Sequence, residues 1–241
     1  MSVSSSIDIL PQNLVTNKET TDSASSFDRG PLNTVRAMRE RGQYDAATVF
    51  GILDQAIVAH VGFVDAGRPV VIPMLFGRDG DRLFLHGARK GRITSTAAGA
   101  AVCVTVTLVD GIVVARSMFD ASMNYRSVVI HGNARELEAD AERLHALRCV
   151  SDHVLPGRWN EVRPPFDKEL KGTSVLEVTI EAASAKIRQG PSNDDAGPGD
   201  ERVWAGVVRI RTVLDEPVPD ATVPLDVPLP QSLRRLTRQS A

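Results

Sequence analysis

Arg89, Lys90 and Arg92 place three cations within four residues, directly after the small-residue turn Gly87-Ala88. Upstream, Leu83 and Leu85 alternate with Arg82, Phe84 and His86 in a strand pattern; downstream, a short helix and a second strand complete the stretch 82–107. A strand that ends in such a turn and opens a helix presents unpaired backbone N–H groups, and cations beside them make an anion site. Phosphate is the obvious anion, although the same cations would suit an ordinary solvated turn. A second constellation is Met123-Asn124-Tyr125-Arg126-Ser127. It sets an amide, a phenol, a guanidinium and a hydroxyl where a strand begins, a mouth that could offer a planar heteroaromatic ligand donors and a stacking face, or simply be a polar strand end.

Other chemistry is poorly served. Ser117, Ser122 and Ser127 lie near His131 in sequence, but no Gly-x-Ser-x-Gly elbow is present. The five histidines, at 60, 86, 131, 145 and 153, do not cluster as a metal box, and His145 and His153 are expected to face solvent. His86, at a strand end beside the basic turn, suits either ligand contact or a structural hydrogen bond. Cys103 and Cys149 are too few for a disulfide framework and show no metal-ligand spacing; Cys103 reads as a small core residue. There is no Gly-x-Gly-x-x-Gly turn and no Walker lysine. A net charge of -2 over 241 residues gives no support for nucleic-acid binding. No apolar run is long enough to cross a bilayer, and the first residues lack the pattern of a secretory signal, so a cytoplasmic, reduced protein is expected.

The elements that must position these residues are mostly strands. Residues 1–28, rich in Ser, Thr, Asp and Asn, read as a flexible leader. Asp45 is a plausible N-cap for a helix carrying Val49, Ile52 and Leu53. Apolar runs at 57–64 and 69–76 flank the turn Asp65-Ala66-Gly67-Arg68 as a hairpin, and Arg78-Asp79-Gly80-Asp81 turns into the next strand. Asp110-Gly111 is expected to join two further strands, and Gly132 to mark a bulge in the long run 125–137. Leu144, Leu147, Val150 and Val154 fall on one helical face. Strands follow at 175–180 and 203–213, and a Pro-rich tail over 216–241 runs extended. Short turns between strands require antiparallel pairing, so the fold expected over 29–215 is mainly β, an antiparallel barrel with flanking helices.

The order Val70-Val71-Ile72-Pro73-Met74, then residues 83–92, then Met123-Asn124-Tyr125-Arg126-Ser127-Val128 resembles the FMN-binding split-barrel proteins. More narrowly it looks like their pyridoxamine-phosphate-oxidase-like branch, which includes the nitroimidazole-resistance proteins. Val203-Trp204-Ala205-Gly206-Val207-Val208 and Glu216-Pro217-Val218-Pro219 resemble the same branch. The resemblance spans about residues 32–236 and implies a split β-barrel. It implies FMN as cofactor, with Val71, Ile72, Pro73 and Met74 along the isoalloxazine and His86, Gly87 and Ala88 beside the ribityl chain. Arg89, Lys90 and Arg92 would bind the phosphate, and Asn124, Tyr125, Arg126 and Ser127 would form the far wall. It also implies a homodimer with the flavin at the subunit interface and an oxidoreductase of unassigned substrate. A non-catalytic flavin module, a nitro-compound reductase, and a haem or deazaflavin binder on the same fold are the alternatives. Close relatives often carry a histidine pair where Phe119, Asp120 and Ala121 stand, and the substrate-phosphate motifs of true pyridoxamine-phosphate oxidases are not evident, so pyridoxine synthesis is not implied.

Overall fold

Asp45 caps the first helix as its type and position require: its carboxylate accepts the Thr48 amide at 2.8 Å, satisfying a donor that the helix itself cannot. The computed structural model describes residues 26–194, 197, 200 and 202–239, and most of the expected leader lies outside them. A two-residue strand β1 (Gly42–Gln43) precedes α1 (Ala46–Leu53), which buries Ala46, Val49, Ile52 and Leu53. Then come β2 (Val58–Asp65), β3 (Arg68–Asp79), β4 (Arg82–Ala88), α2 (Arg92–Thr96), β5 (Ala101–Val114) and β6 (Ser122–Glu136). After α3 (Asp140–Val154) and a 3-10 turn (Arg158–Glu161), the chain continues through α4 (Asp167–Gly172), β7 (Thr173–Thr179), β8 (Ala182–Arg188), β9 (Gly206–Arg209) and α5 (Gln231–Gln239).

The pairings close on themselves. Strand β2 pairs with β3, β3 with β4, β4 with β7, β7 with β6, β6 with β5, and β5 again with β2, every pair antiparallel. Alternation then sorts the side chains: Val102, Val104 and Val106 point into the ring while the residues between them do not. The interior joins Val61, Phe63, Phe76, Leu83, Leu85, Val128, Ile130, Leu176 and Val178 to α1, each buried side chain contributing on the order of 1.5–3 kcal/mol. A second cluster forms outside the ring, where Phe84 and Val175 meet Ala146 and Val150 of α3. The fold is therefore mainly β, antiparallel and barrel-like, as expected.

Several local expectations are corrected. Asp110-Gly111 does not connect two strands; it is a register shift inside the single strand β5, between Val109 and Gly111. The register at Gly132 is continuous. That glycine instead admits the Thr179 carbonyl, which a Cβ would approach to 2.1 Å. Cys103 is half-buried on the face away from the core. His153 is not solvent-facing: its Nε2 lies 2.6 Å from the Ala56 carbonyl oxygen and its ring packs at a tilt against Phe76, the centroids 4.5 Å apart. The last strand is shorter than expected, and the tail ends in α5.

Candidate functional site

Strand β3 changes neighbour along its length, and this opens the candidate site. Residues Arg68 to Leu75 pair with β2, whereas Phe76 to Asp79 pair with β4 through Leu85 to Arg82. Beyond the Phe76–Leu85 pair the two strands part. Strand β4 is paired with β7 throughout, and His86, Gly87 and Ala88 continue on β7 alone, opposite Val175, Ser174 and Thr173. Among the described residues, no strand covers the second edge of β3 between Pro69 and Leu75, so its N–H and C=O groups there face outward. Alternation divides the predicted residues on it: Ile72 and Met74 pack against the core, while Val71 and Pro73 point out, Val71 at 62% exposure.

A cavity of about 470 Å³ lies beside this parting. Leu75 and His86 form one wall; Leu147, Val150 and Val154 of α3, Leu155, Trp159 and Leu170 form much of the rest. The lining is chiefly apolar. His86 shares a face of β4 with Phe84 and so points toward α3 rather than into the barrel. Its Nδ1 is buried with no hydrogen-bond partner among the described residues, and burial holds the imidazole below its ordinary pKa, favouring the neutral ring. Glu169 stands at the rim of the cavity, where Arg163 and the Phe166 amide draw its carboxyl down to about 2.

The basic turn adjoins Gly87 and Ala88. Arg89 and Lys90 are exposed; the Arg89 amide donates to the Gly172 carbonyl at 3.0 Å. Gly91 closes the turn on the Ala88 carbonyl at 2.7 Å, and the Thr94 hydroxyl donates to the same oxygen at 2.9 Å. Arg92 is engaged: its Nε donates to Asp65 at 2.7 Å, tying the turn to the β2–β3 hairpin. Among the described residues, two exposed cations at the turn, Arg89 and Lys90, therefore stand without a carboxylate partner, and Arg92 is paired.

Asn124, Tyr125, Arg126 and Ser127 lie on β6, and the side chains of Asn124, Arg126 and Ser127 find their partners elsewhere. Asn124 is buried, donates to the Gly190 carbonyl at 3.1 Å and accepts from Arg188 at 2.5 Å. Arg126 makes a two-pronged bond to Asp110, which raises its already high pKa, and also reaches Gln55 at 2.7 Å. Ser127 donates to the Lys186 carbonyl at 3.3 Å and lines a separate hollow under residues 32–37. Within one chain these four residues do not join the cavity at His86. Sequence reasoning missed the walls that α3, Trp159 and α4 supply. The apolar stripe of α3 signalled a buried face, but only tertiary packing shows that part of it faces a void.

The family model described as pyridoxamine 5'-phosphate oxidase matches residues 45–187, more than half of the chain. The flavocytochrome Anf3 from Azotobacter vinelandii is 38% identical with a TM-score of 0.78, over 83% of this chain and 94% of that one. The FAD and heme binding protein from Mycobacterium smegmatis is 35% identical with a TM-score of 0.77, over 82% and 97%. A candidate 5-nitroimidazole antibiotic resistance protein from Bacteroides thetaiotaomicron is 26% identical with a TM-score of 0.52, over 59% and 84%. No curated protein matches the sequence. The family match and the chain-length likeness agree with the ring of strands and its parting at β3: the chain belongs to the pyridoxamine 5'-phosphate oxidase-like family.

Proposed function

We propose that the protein is a flavin-binding redox protein of this family, with its flavin along the open edge of β3. The observation that carries this reading is likeness over more than four-fifths of the chain to a flavocytochrome and to an FAD- and haem-binding protein. The residues suit such a group. The unpaired β3 edge from Pro69 to Leu75 offers backbone donors and acceptors to a heteroaromatic ring, and Arg89 and Lys90 stand ready for a phosphate. A bound flavin would supply hydride or single-electron transfer, while the chain orients it and sets its electrostatic surroundings. The name of the second of these relatives favours FAD over the FMN expected from the split-barrel resemblance.

A homodimer fits the same reading. Val64 and Val71 are each 62% exposed on the outer face of the β2–β3 hairpin, and a partner would cover them and bring its own Asn124-to-Ser127 segment to the site. A second reading, haem in the cavity, is favoured by His86: a neutral imidazole with an unsatisfied ring nitrogen beside an apolar space suits iron ligation.

The visible spectrum of the purified protein tests both. Flavin absorbance, with FAD or FMN identified chromatographically after acid release, supports the first; protein that neither carries nor takes up flavin overturns it. Lys90→Ala is expected to weaken flavin binding by roughly tenfold through loss of a charge-assisted bond. Haem uptake by the parent protein and its loss in His86→Ala, with flavin retained, would support the second.

A further inference from the structure

We propose that Asp79, His145 and Cys149 form a divalent transition-metal site, with zinc the ion their chemistry suits best. This site is separate from the flavin reading and does not depend on it. Three ligand types converge from two elements. His145 and Cys149 stand four apart on α3, one turn above each other, and Asp79 ends β3 opposite them. Their ligating atoms all lie within 4.8 Å of one another. The Asp79 Oδ2 is 3.0 Å from His145 Nε2, and the Cys149 Sγ is 3.6 Å from that same nitrogen.

The shared nitrogen decides the chemistry. In a nucleophile–base–orienter relay, the carboxylate and the thiol would sit on opposite ring nitrogens. Here both approach one nitrogen, so the three atoms face a common point. A tetrahedral zinc with bonds of about 2.3 Å to sulfur and about 2.0 Å to nitrogen or oxygen sets its ligand atoms roughly 3.3–3.6 Å apart; the two spacings to His145 Nε2, 3.0 and 3.6 Å, bracket that range, and small side-chain shifts would bring all three atoms onto one ion. Sulfur, imidazole and carboxylate together suit zinc better than calcium or magnesium, which take oxygen ligands. With His145 half-exposed, water would complete the fourth position.

The fold holds this geometry in place. Gly77 lets α3 press directly on β3, since a Cβ there would fall 2.5 Å from the Cys149 carbonyl carbon and the Val150 nitrogen. That close approach brings Cys149 beside Asp79, two residues further along β3. Phe84 meets the His145 ring edge-on at 5.8 Å and orients it. Arg82 competes for the site: its Nη2 donates to the same Asp79 oxygen at 3.0 Å, and its Nη1 also reaches Glu177 at 3.4 Å. A bound ion would displace Arg82 from Asp79 toward Glu177 and join α3 to the β3–β4 hairpin.

The test uses the full chain, stripped with a chelator and titrated with zinc by calorimetry, and with cobalt(II) by difference absorption. One zinc per chain is expected, with a rise in melting temperature and a thiolate-to-cobalt charge-transfer band. Cys149→Ser should abolish the band. Asp79→Asn and His145→Gln should each weaken zinc binding by about tenfold or more. Arg82→Gln, which removes the competing cation, should tighten it. Absence of zinc uptake by the parent chain would overturn the proposal. So would equal affinity and an equal melting shift in a His145→Gln, Cys149→Ser double variant, since binding would then lie elsewhere. Unchanged or weaker binding in Arg82→Gln would overturn the three-ligand assignment.

Discussion

His86 combines a buried, unsatisfied ring nitrogen with a depressed pKa, and its titration can be followed through stability. The cause is burial, which disfavours the charged imidazolium. Above its ordinary value of 6.5 the ring is neutral in both folded and unfolded chains and contributes no pH dependence. As pH falls below that value the unfolded chain takes up the proton first, so the folded state loses stability until the folded pKa is passed. His86→Leu should therefore flatten the stability profile from about pH 6.5 downward relative to the parent chain, as measured by urea denaturation across pH. Identical profiles would mean that the ring is solvated in the protein. The same residue shows the limit of sequence reading: its place at a strand end was legible, but which face of β4 meets α3, and so where His86 points, is set by tertiary packing.

At the scale of elements, two glycines set how closely strands and helices approach. Gly77→Ala would put a methyl into the backbone of α3 and should destabilise the protein by about 2 kcal/mol or more, read from the urea midpoint. Gly132→Ala would drive a Cβ against the Thr179 carbonyl where β6 meets β7, with a cost of the same order. The hairpin turns, the cap at Asp45 and the helical period of α3 were readable because each rests on local chemistry: a turn glycine, a side-chain acceptor, an apolar stripe. The bulge in β5 was misplaced because Gly132 and Gly111 look alike in sequence and differ only in what packs on them. Strand β8 was missed because Ala182, Ala183 and Ala185 carry little β propensity, and pairing with β6 decides their conformation. The metal-like cluster was hidden because its third member, Asp79, comes from a distant strand.

For the molecule as a whole, the segment after β9 raises the question of what covers it. Val213, Val218 and Leu225 lie largely or fully exposed along the described path, yet α5 at its end is anchored. The Ser232 amide and hydroxyl donate to the two oxygens of Glu161 at 2.8 and 2.6 Å, fastening the tail to the turn that carries Trp159. Those bonds lower the Glu161 pKa, so the fastening persists at neutral pH and weakens as the carboxylate is protonated in acid. Glu161→Ala should speed tryptic cleavage at Arg234 and Arg235 while leaving the barrel intact; unchanged cleavage would show that other contacts hold α5. If the exposed apolar side chains meet a second copy, truncation before Glu216 should shift the protein toward monomer in light scattering.

The closed ring also dictates an order of events during synthesis. Its hairpins, β2–β3 and β5–β6, need only short loops, and both can form as soon as their own residues emerge. The ring cannot close until β7 arrives to bridge β4 and β6, joining Arg82 to Thr179 across almost a hundred residues. Until then β4 presents a bare edge, and the growing chain carries at most an open sheet, β4-β3-β2-β5-β6, with its apolar inner face open to water. Folding should thus be limited by a late, long-range closure, and α3, made just before β7, is placed to shield the exposed Phe84 face during that interval.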